Sequence, residues 1–330
     1  MTSDHFQGTI RSIIILCIAL LVGGCGGSGG GDGSSSTGSY SGLTSPAPLT
    51  EENAQDILED AYYGGLAGSG MASPLSAMKV EGVEGTGPLN MQQTAMLIKD
   101  LVEQDRSKTT VQTSPYASAV ETEPIHESGK CGGVVTGSIQ VNDVTGSLTG
   151  NLTFSNYCEM GVLLSGAVTF AGQIDVESGE LAMTMTFRNF NEVIGDESMN
   201  IILNGTLDMA TLGTSIHMTM DIFMQDETSG KSFLMDGYTT TMAEQGGYSE
   251  AEVYGRFYCS DYGYVNLSTE ETIMVSDNED YPSQGVFVAT GENGSSARLT
   301  FLNSGAYSVD VDEDGNGVYE FNSGIQYWDN

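Results

Sequence analysis

The sequence predicts a mostly β protein: an antiparallel curved sheet or β-sandwich in meander order, with two short N-terminal helices packed on it. The first observation is the alternation of apolar and polar residues along short segments between residues 134 and 276. Side chains of a strand point to opposite faces with period two, so such segments bury one face. The clearest inward runs are Leu181, Met183, Met185 and Phe187; Met199, Ile201, Leu203, Leu207 and Met209; and Ile216, Met218, Met220, Ile222 and Met224.

Turn sequences and recurrent glycines are the second and third observations. Short stretches rich in Gly, Asn, Asp and Ser separate the alternating segments, as hairpins require. Inside the strands, a polar residue followed by glycine recurs at Thr136-Gly137, Thr149-Gly150, Ser165-Gly166 and Asn204-Gly205. Glycine within a strand marks a bend, a bulge or the close approach of another backbone. Its recurrence at similar places predicts a sheet that curves.

The N-terminus predicts export and lipid anchoring. Residues 1–24 have the form of a signal peptide, with Arg11 before an apolar run that is too short for a stable membrane span. Val22-Gly23-Gly24-Cys25 has the pattern of a lipobox, in which Cys25 is lipidated and becomes the new N-terminus. An ordinary signal peptide is the alternative reading. Gly26 after the cysteine favours the outer membrane of a bacterial cell envelope, on its periplasmic face or its surface.

Residues 25–48 form a Gly/Ser/Pro-rich linker, which we call the leash. As a flexible chain, its Gly26–Gly42 part has an expected root-mean-square reach of about 20–25 Å. Residues 49–130 are predicted to be a helical and irregular preface to the sheet. In its first helix, an apolar face ends at Gly64-Gly65, and the second helix runs from Asn90 to about Gln104. The first apolar face consists of Ala54, Ile57, Leu58, Ala61 and Tyr62.

The remaining chain divides into a main antiparallel β region, residues 131–276, and a C-terminal β-meander with an acidic turn, residues 277–330. An exported chain can form disulfides. With Cys17 in the signal peptide and Cys25 at the lipid, one intramolecular pair is available. Cys131–Cys158 closes a hairpin-sized loop, a closure that stabilises by about 3 kcal/mol. Cys158–Cys259 is the alternative, because both cysteines follow a similar Phe- and Tyr-containing sequence.

The acidic turn is the candidate metal site. Oxygen-bearing side chains recur at alternate positions around a glycine turn, as in calcium loops. The flanking residues read as strands rather than as the helices of an EF-hand, so a structural calcium ion and a solvated hairpin tip both remain open. The candidate ligands are Asp310, Asp312, Asp314, Asn316 and Glu320.

Composition restricts the classes of function. With 10 Lys and Arg against 44 Asp and Glu, the formal net charge is −34. Such a surface repels nucleic acid, so no nucleic-acid partner is expected. The three histidines lie apart from one another, and no nucleophile motif, paired metal-binding histidines or phosphate-binding loop is present in the sequence. We therefore expect no enzymatic activity, no catalytic residues and no cofactor other than structural calcium.

Several short motifs resemble a group of bacterial lipoproteins of outer-membrane type. They include the lipobox with its Gly/Ser leash, Lys130-Cys131-Gly132-Gly133, Asn156-Tyr157-Cys158, and the acidic hairpin from Asp310 to Gly315. The resemblance implies an envelope location and a membrane contact through the N-terminal lipid, and it assigns no activity.

The predicted function is a lipid-anchored envelope protein with a non-catalytic binding or structural role, its partner being an envelope protein, a glycan or a lipid. The alternative is a periplasmic carrier of lipid or another hydrophobic ligand, with the ligand held in the cavity of a half-barrel lined by methionines.

Overall fold

A single antiparallel sheet of fifteen strands dominates the computed structural model, which describes residues 39–69 and 120–328 except 143, 160–161, 176, 195–198, 277–278 and 280. Among these described residues one α-helix, α1, spans Ala54–Ser69, and a short 3-10 helix spans Glu292–Gly294. The long strands are β1 Val120–Ser128, β2 Gly132–Asn142, β3 Ser147–Glu159, β4 Val162–Ile174, β5 Leu181–Ile194, β6 Met199–Leu212, β7 Ser215–Asp226, β8 Ser232–Gln245, β9 Tyr248–Cys259 and β10 Gly263–Ser276. The shorter ones are β11 Gln284–Thr290, β12 Ser296–Asn303, β13 Ala306–Asp312, β14 Phe321–Asn322 and β15 Gln326–Tyr327.

The strands follow one another in strict order, each pairing with the next from β1 to β14, and β15 pairs with β13. The prediction of a mostly β, antiparallel meander is confirmed, and the described strands form one open sheet rather than a sandwich. The boundary at 276/277 falls between β10 and β11, which pair within the same sheet. In such a meander alternate turns lie at the same end of the sheet. We call the end with the β7–β8, β9–β10, β11–β12 and β13–β14 turns the strap rim, and the opposite end the far rim.

Helix α1 lies against the sheet and shows that the sheet bends around it. It contacts β8 and β9 on one side and β12 and β13 on the other. Strands β8 and β12 lie about 19 Å apart along a flat sheet, whereas a helix is only about 10–12 Å across. The predicted apolar face is buried throughout, and Asp60, which lies outside that face, is buried too. The sheet therefore wraps the helix from β8 to β13.

Two helix predictions have different outcomes. The first helix does not stop at Gly64-Gly65 but continues to Ser69, so that end was wrong. The second predicted helix, near residues 90–104, lies outside the described residues, and the prediction of two helices is not confirmed. Among the described residues, no helix has the length and apolar character needed to cross a membrane.

Three β-bulges form a crease across the long strands, and each holds one residue in the left-handed region. These residues are Asn156 in β3, Asn189 in β5 and Gly237 in β8, with φ of 46°, 45° and 56°. A side chain on an adjacent strand accepts a hydrogen bond from each bulge residue's backbone N–H. The acceptors are Ser165, Asn204 and Asp221, at 3.3, 2.8 and 2.6 Å. Bulges bend a strand and increase its twist, so the crease accounts for curvature in this part of the sheet.

Glycines on the neighbouring strands fit against the crease. Gly166, Gly205 and Gly255 all have positive φ, at 116°, 141° and 130°. A Cβ on Gly205 would lie 2.1 Å from the backbone oxygen of Asp221, closer than any atom can approach. Gly166 and Gly205 belong to the polar–glycine repeat in the sequence, which therefore marks two positions of this crease.

The chain ends in an aromatic cluster that joins the helix to the last strands. Trp328 is buried, and its ring centroid lies 4.1 Å from that of Tyr307, 5.2 Å from that of Tyr281 and 5.5 Å from that of Tyr62. Its backbone N–H donates to the carbonyl of Gly305 at 3.2 Å. One side chain thus packs α1, β13 and the segment before β11 together, and it is the only tryptophan in the chain.

Candidate metal centre and anchor strap

The acidic loop between β13 and β14 brings three carboxylates together. Asp312 ends β13 with its side chain buried, and it accepts backbone hydrogen bonds from Asn316 at 3.1 Å and Gly317 at 2.8 Å. Asp314 also accepts from the N–H of Asn316, at 3.1 Å. The Asn316 side chain donates to Glu320 at 3.1 Å. These bonds, with positive φ at two loop glycines, turn the chain around the acids.

The spacing of these carboxylates fits a calcium ion. One oxygen from each of Asp312, Asp314 and Glu320 lies within 4.8 Å of the others. Calcium binds oxygen at about 2.3–2.6 Å, so ligands on opposite sides of the ion lie about 4.6–5.2 Å apart. Three close carboxylates also repel one another unless a cation or protons reduce their charge. The loop thus offers a hard, anionic oxygen site of the kind that calcium prefers.

Asp310, the first of the predicted ligands, is turned elsewhere. It pairs across the strands with Arg298, whose guanidinium lies 3.3 Å from its carboxylate, and it accepts from the Asn322 side chain at 2.5 Å. Arg298 also stacks over the ring of Tyr319, 4.5 Å from the ring centroid. Asp310 therefore pairs with Arg298 and does not join the group of three carboxylates. The side-chain amide of Asn316 donates to Glu320, a member of that group.

The last part of the leash, residues 40–48, leads with Leu49 toward the helix, and we call residues 40–49 the anchor strap. The strap lies along the strap rim and is hydrogen-bonded to it. The N–H of Leu43 donates to Ser260 at 3.1 Å, and that of Ala47 to Tyr264 at 2.8 Å. In return, Tyr264 donates to Ser45 at 2.9 Å. Pro46 forms a parallel bridge with Tyr264, so the strap adds a short extra strand beside β10.

Glycines in the rim leave room for the strap. A Cβ on Gly263 would lie 2.2 Å from the carbonyl oxygen of Ser45, and one on Gly291 would lie 2.0 Å from that of Ala47. Ala47 and Leu49 are buried, although the sequence placed Ala47 in the linker and Leu49 at the start of the helical preface. At the exposed end, the Tyr40 ring packs edge-on against Tyr258 at 5.5 Å.

The strap is linked to the acidic loop through the residues that follow it and through the β11–β12 turn. The N–H of Glu51 donates to the Glu313 side chain at 2.6 Å, and Glu292, in the β11–β12 turn, donates from its N–H to Ala47 at 2.7 Å. In that turn Asn293 and Gly294 lie against Gly315 of the acidic loop. The metal site, the strap and the start of α1 therefore form one connected structure.

The cysteines are placed as follows. Cys131 and Cys158 form a disulfide between the start of β2 and the end of β3, with their Cα atoms 5.0 Å apart. Cys259 is buried at the end of β9 and takes no part in it. Cys25, the predicted lipidation site, lies outside the described residues.

Two buried acids with a raised pKa were not predicted from the sequence. Glu192 in β5 is 3% exposed, and its Oε1 accepts no hydrogen bond from any described residue. Its neighbours across the strands are Leu164 and Ile201, and burial raises the pKa of its carboxyl to about 8. Asp60 on α1 lies 3.5 Å from Lys231 in the β7–β8 turn. Burial raises the pKa of Asp60, although the lysine opposes the change.

No protein-family model, curated protein or solved structure that was compared with the chain matches it. The interpretation of the site therefore depends on its own geometry.

Proposed function

We propose that this protein is a lipid-anchored component of a bacterial cell envelope, with a non-catalytic structural or binding role. The observation that carries the proposal is the seating of the anchor strap. A chain arriving from Cys25 joins the domain along the edge of β10, through backbone hydrogen bonds and glycine-lined contacts, before it enters the buried helix. A load on the leash would pass into the centre of the sheet rather than into a terminal strand.

The carrier alternative receives less support from the same contacts. A half-barrel that holds an acyl chain needs free volume on its concave side. From β8 to β13 that side is occupied by α1, and both Tyr62 of the helix and Tyr238 of β8 are fully buried. Native mass spectrometry of the purified mature chain tests this alternative, because a co-purifying lipid would favour the carrier.

Anchoring is tested at Cys25. Wild-type cells should incorporate radiolabelled palmitate into the protein, and the protein should sediment with membranes, whereas Cys25→Ser should abolish the label and release the mature chain into the soluble fraction. Cys17→Ser is the matched control, since it removes the other N-terminal cysteine from within the apolar run. Palmitate incorporation that persists in Cys25→Ser would contradict the proposed anchor.

We further propose that Asp312, Asp314 and Glu320 bind a structural calcium ion that joins the last strands to the strap. Calcium that binds only the folded protein stabilises it by about 2.7 kcal/mol at a hundredfold excess over Kd. Thermal melts followed by the fluorescence of Trp328 should show a higher Tm in calcium than in chelator at equal ionic strength.

Asp314→Asn should remove most of this calcium effect, because it neutralises an exposed member of the acid group without disturbing the buried Asp312. Asp261→Asn is the control, since it removes the same charge from the exposed β9–β10 turn on the same rim. Equal Tm values in calcium and in chelator would contradict the calcium site and favour the alternative, a solvated hairpin tip.

A further inference from the structure

The strap determines where the anchored chain leaves the domain. Tyr40 is held by Tyr258, and its hydroxyl donates to the carbonyl of Leu43 at 3.0 Å. Leu43 in turn donates to Ser260 in the β9–β10 turn. The point at which the chain leaves the domain is thus fixed at the strap rim, and residues 26–39 separate Tyr40 from Cys25.

The dimensions of the sheet are large compared with that separation. Fourteen residues of Gly/Ser-rich sequence have an expected root-mean-square reach of about 20 Å. Strand β7, with twelve residues between the two rims, spans about 40 Å. A domain that pivots about its exit point therefore keeps the strap rim nearer to the lipid than the far rim.

We propose that the strap rim faces the membrane surface and that its acidic turns hold it away from anionic headgroups. This inference depends on the proposed anchoring at Cys25 and adds the orientation of the domain. It leaves the far rim pointing away from the membrane, as the side available to partners.

The charge of the strap rim determines which lipid headgroups it can approach closely. The strap and the turns at 260–262, 291–295 and 313–320 contain no lysine or arginine. At the same end of the sheet, Lys231 of the β7–β8 turn is buried beside Asp60, and Lys130 of the β1–β2 turn is exposed. The exposed acids of the first three turns are Asp261, Glu292, Glu313, Asp314 and Glu320, and Glu51 and Glu52 follow the strap along the chain. Anionic headgroups repel such a surface over about 30 Å at 10 mM salt but only about 8 Å at 150 mM. A neutral lipid surface permits closer approach.

Fluorescence energy transfer from a donor dye on the protein to an acceptor-labelled lipid in the vesicle membrane tests the orientation. The chain from residue 25 onward, carrying Cys25→Ser and a hexahistidine tag before it, is bound to nickel-chelating lipid in phosphatidylcholine vesicles. A donor dye is placed by Thr228→Cys at the strap rim or by Thr214→Cys at the far rim. Both threonines are exposed; Thr214 directly precedes β7, and Thr228 lies two residues after its end. The native cysteines stay unlabelled because two form a disulfide and Cys259 is 1% exposed.

Transfer from the Thr228→Cys position should exceed that from Thr214→Cys several-fold. Phosphatidylglycerol in the vesicles should lower the first value at 10 mM salt and leave it unchanged at 150 mM. Equal transfer from the two positions, or stronger transfer from the far rim, would overturn the orientation. Insensitivity to phosphatidylglycerol would overturn the electrostatic part. Because the tag replaces the native lipid, either failure is distinguishable from failure of lipidation at Cys25.

Discussion

Gly205→Ala should lower the free energy of unfolding by roughly 3–5 kcal/mol, which is enough to unfold many domains. Gly205 has φ of 141°, a conformation almost restricted to glycine, and an added Cβ would lie 2.1 Å from the Asp221 carbonyl oxygen. That carbonyl belongs to β7, whose Asp221 side chain also accepts from the bulge residue Gly237. A shift of β7 away from the new methyl group would disturb the next bulge as well. Urea unfolding monitored by circular dichroism measures the loss.

Gly247→Ala is the matched control for this prediction. Gly247 also has positive φ, at 104°, but a Cβ there would meet no atom within 4 Å. Gly247→Ala should therefore lower the free energy of unfolding only by the cost of the unfavourable backbone conformation, about 1–2 kcal/mol. If the two variants lost equal stability, the close backbone contact at the crease would contribute nothing.

The strands could be predicted from the sequence because burial of one sheet face requires apolar residues at alternate positions along each strand. The inward runs of β5, β6 and β7 are buried at nearly every predicted position that the structure describes, from Leu181 in β5 to Met224 in β7. The polar–glycine pairs also marked two positions of the crease, since only glycine permits those backbone angles. Both signals depend on residues close together in the chain, so they needed no knowledge of the tertiary fold.

The bulges explain why Glu192 was missed. Before the bulge in β5, the odd-numbered residues from Leu181 to Phe187 face inward. The extra residue at Asn189 shifts the alternation, so that Phe190 and Glu192 face inward instead. Strict period two places Glu192 on the outer face beside Thr184 and Thr186. The signal that could have revealed the shift is Phe190 itself, an aromatic residue out of phase with Phe187.

Long-range pairing limited the prediction of the site. The spacing of the acidic turn grouped Asp312, Asp314 and Glu320, whose carboxylates lie close together because the three residues share one loop. It also included Asp310, whose partner Arg298 is set by the register of β12 and β13. The strap was read as linker because its contacts, with residues 260–264 and 292–295, lie more than two hundred positions away. Short apolar residues between prolines give no local indication of such pairing.

Glu192→Gln should stabilise the protein by about 3 kcal/mol at pH 7 and have little effect near pH 4. The pKa of the folded-state carboxyl is about 8, against an ordinary value of 4.5. Below pH 4.5 the residue is protonated in both states and carries no penalty. As pH rises from 4.5 to 8, the unfolded chain ionises first, so stability falls. Above pH 8 the folded protein must hold a buried carboxylate and bears the whole penalty. Glutamine keeps the shape without the charge, so its unfolding free energy should decline less over this range.

Glu252→Gln separates the effect of burial from that of net charge. Both substitutions remove one negative charge from a chain of formal charge −34, but Glu252 is exposed on β9. Reduced self-repulsion alone should raise stability slightly in both variants, whereas a buried carboxylate makes the gain for Glu192→Gln much larger and confined to pH above about 5. Urea midpoints at pH 4.5, 6 and 7.5 provide the comparison. Parallel pH profiles for wild type and Glu192→Gln would mean that Glu192 reaches water or a cation when it ionises, and that the inner face of β5 opens at neutral pH.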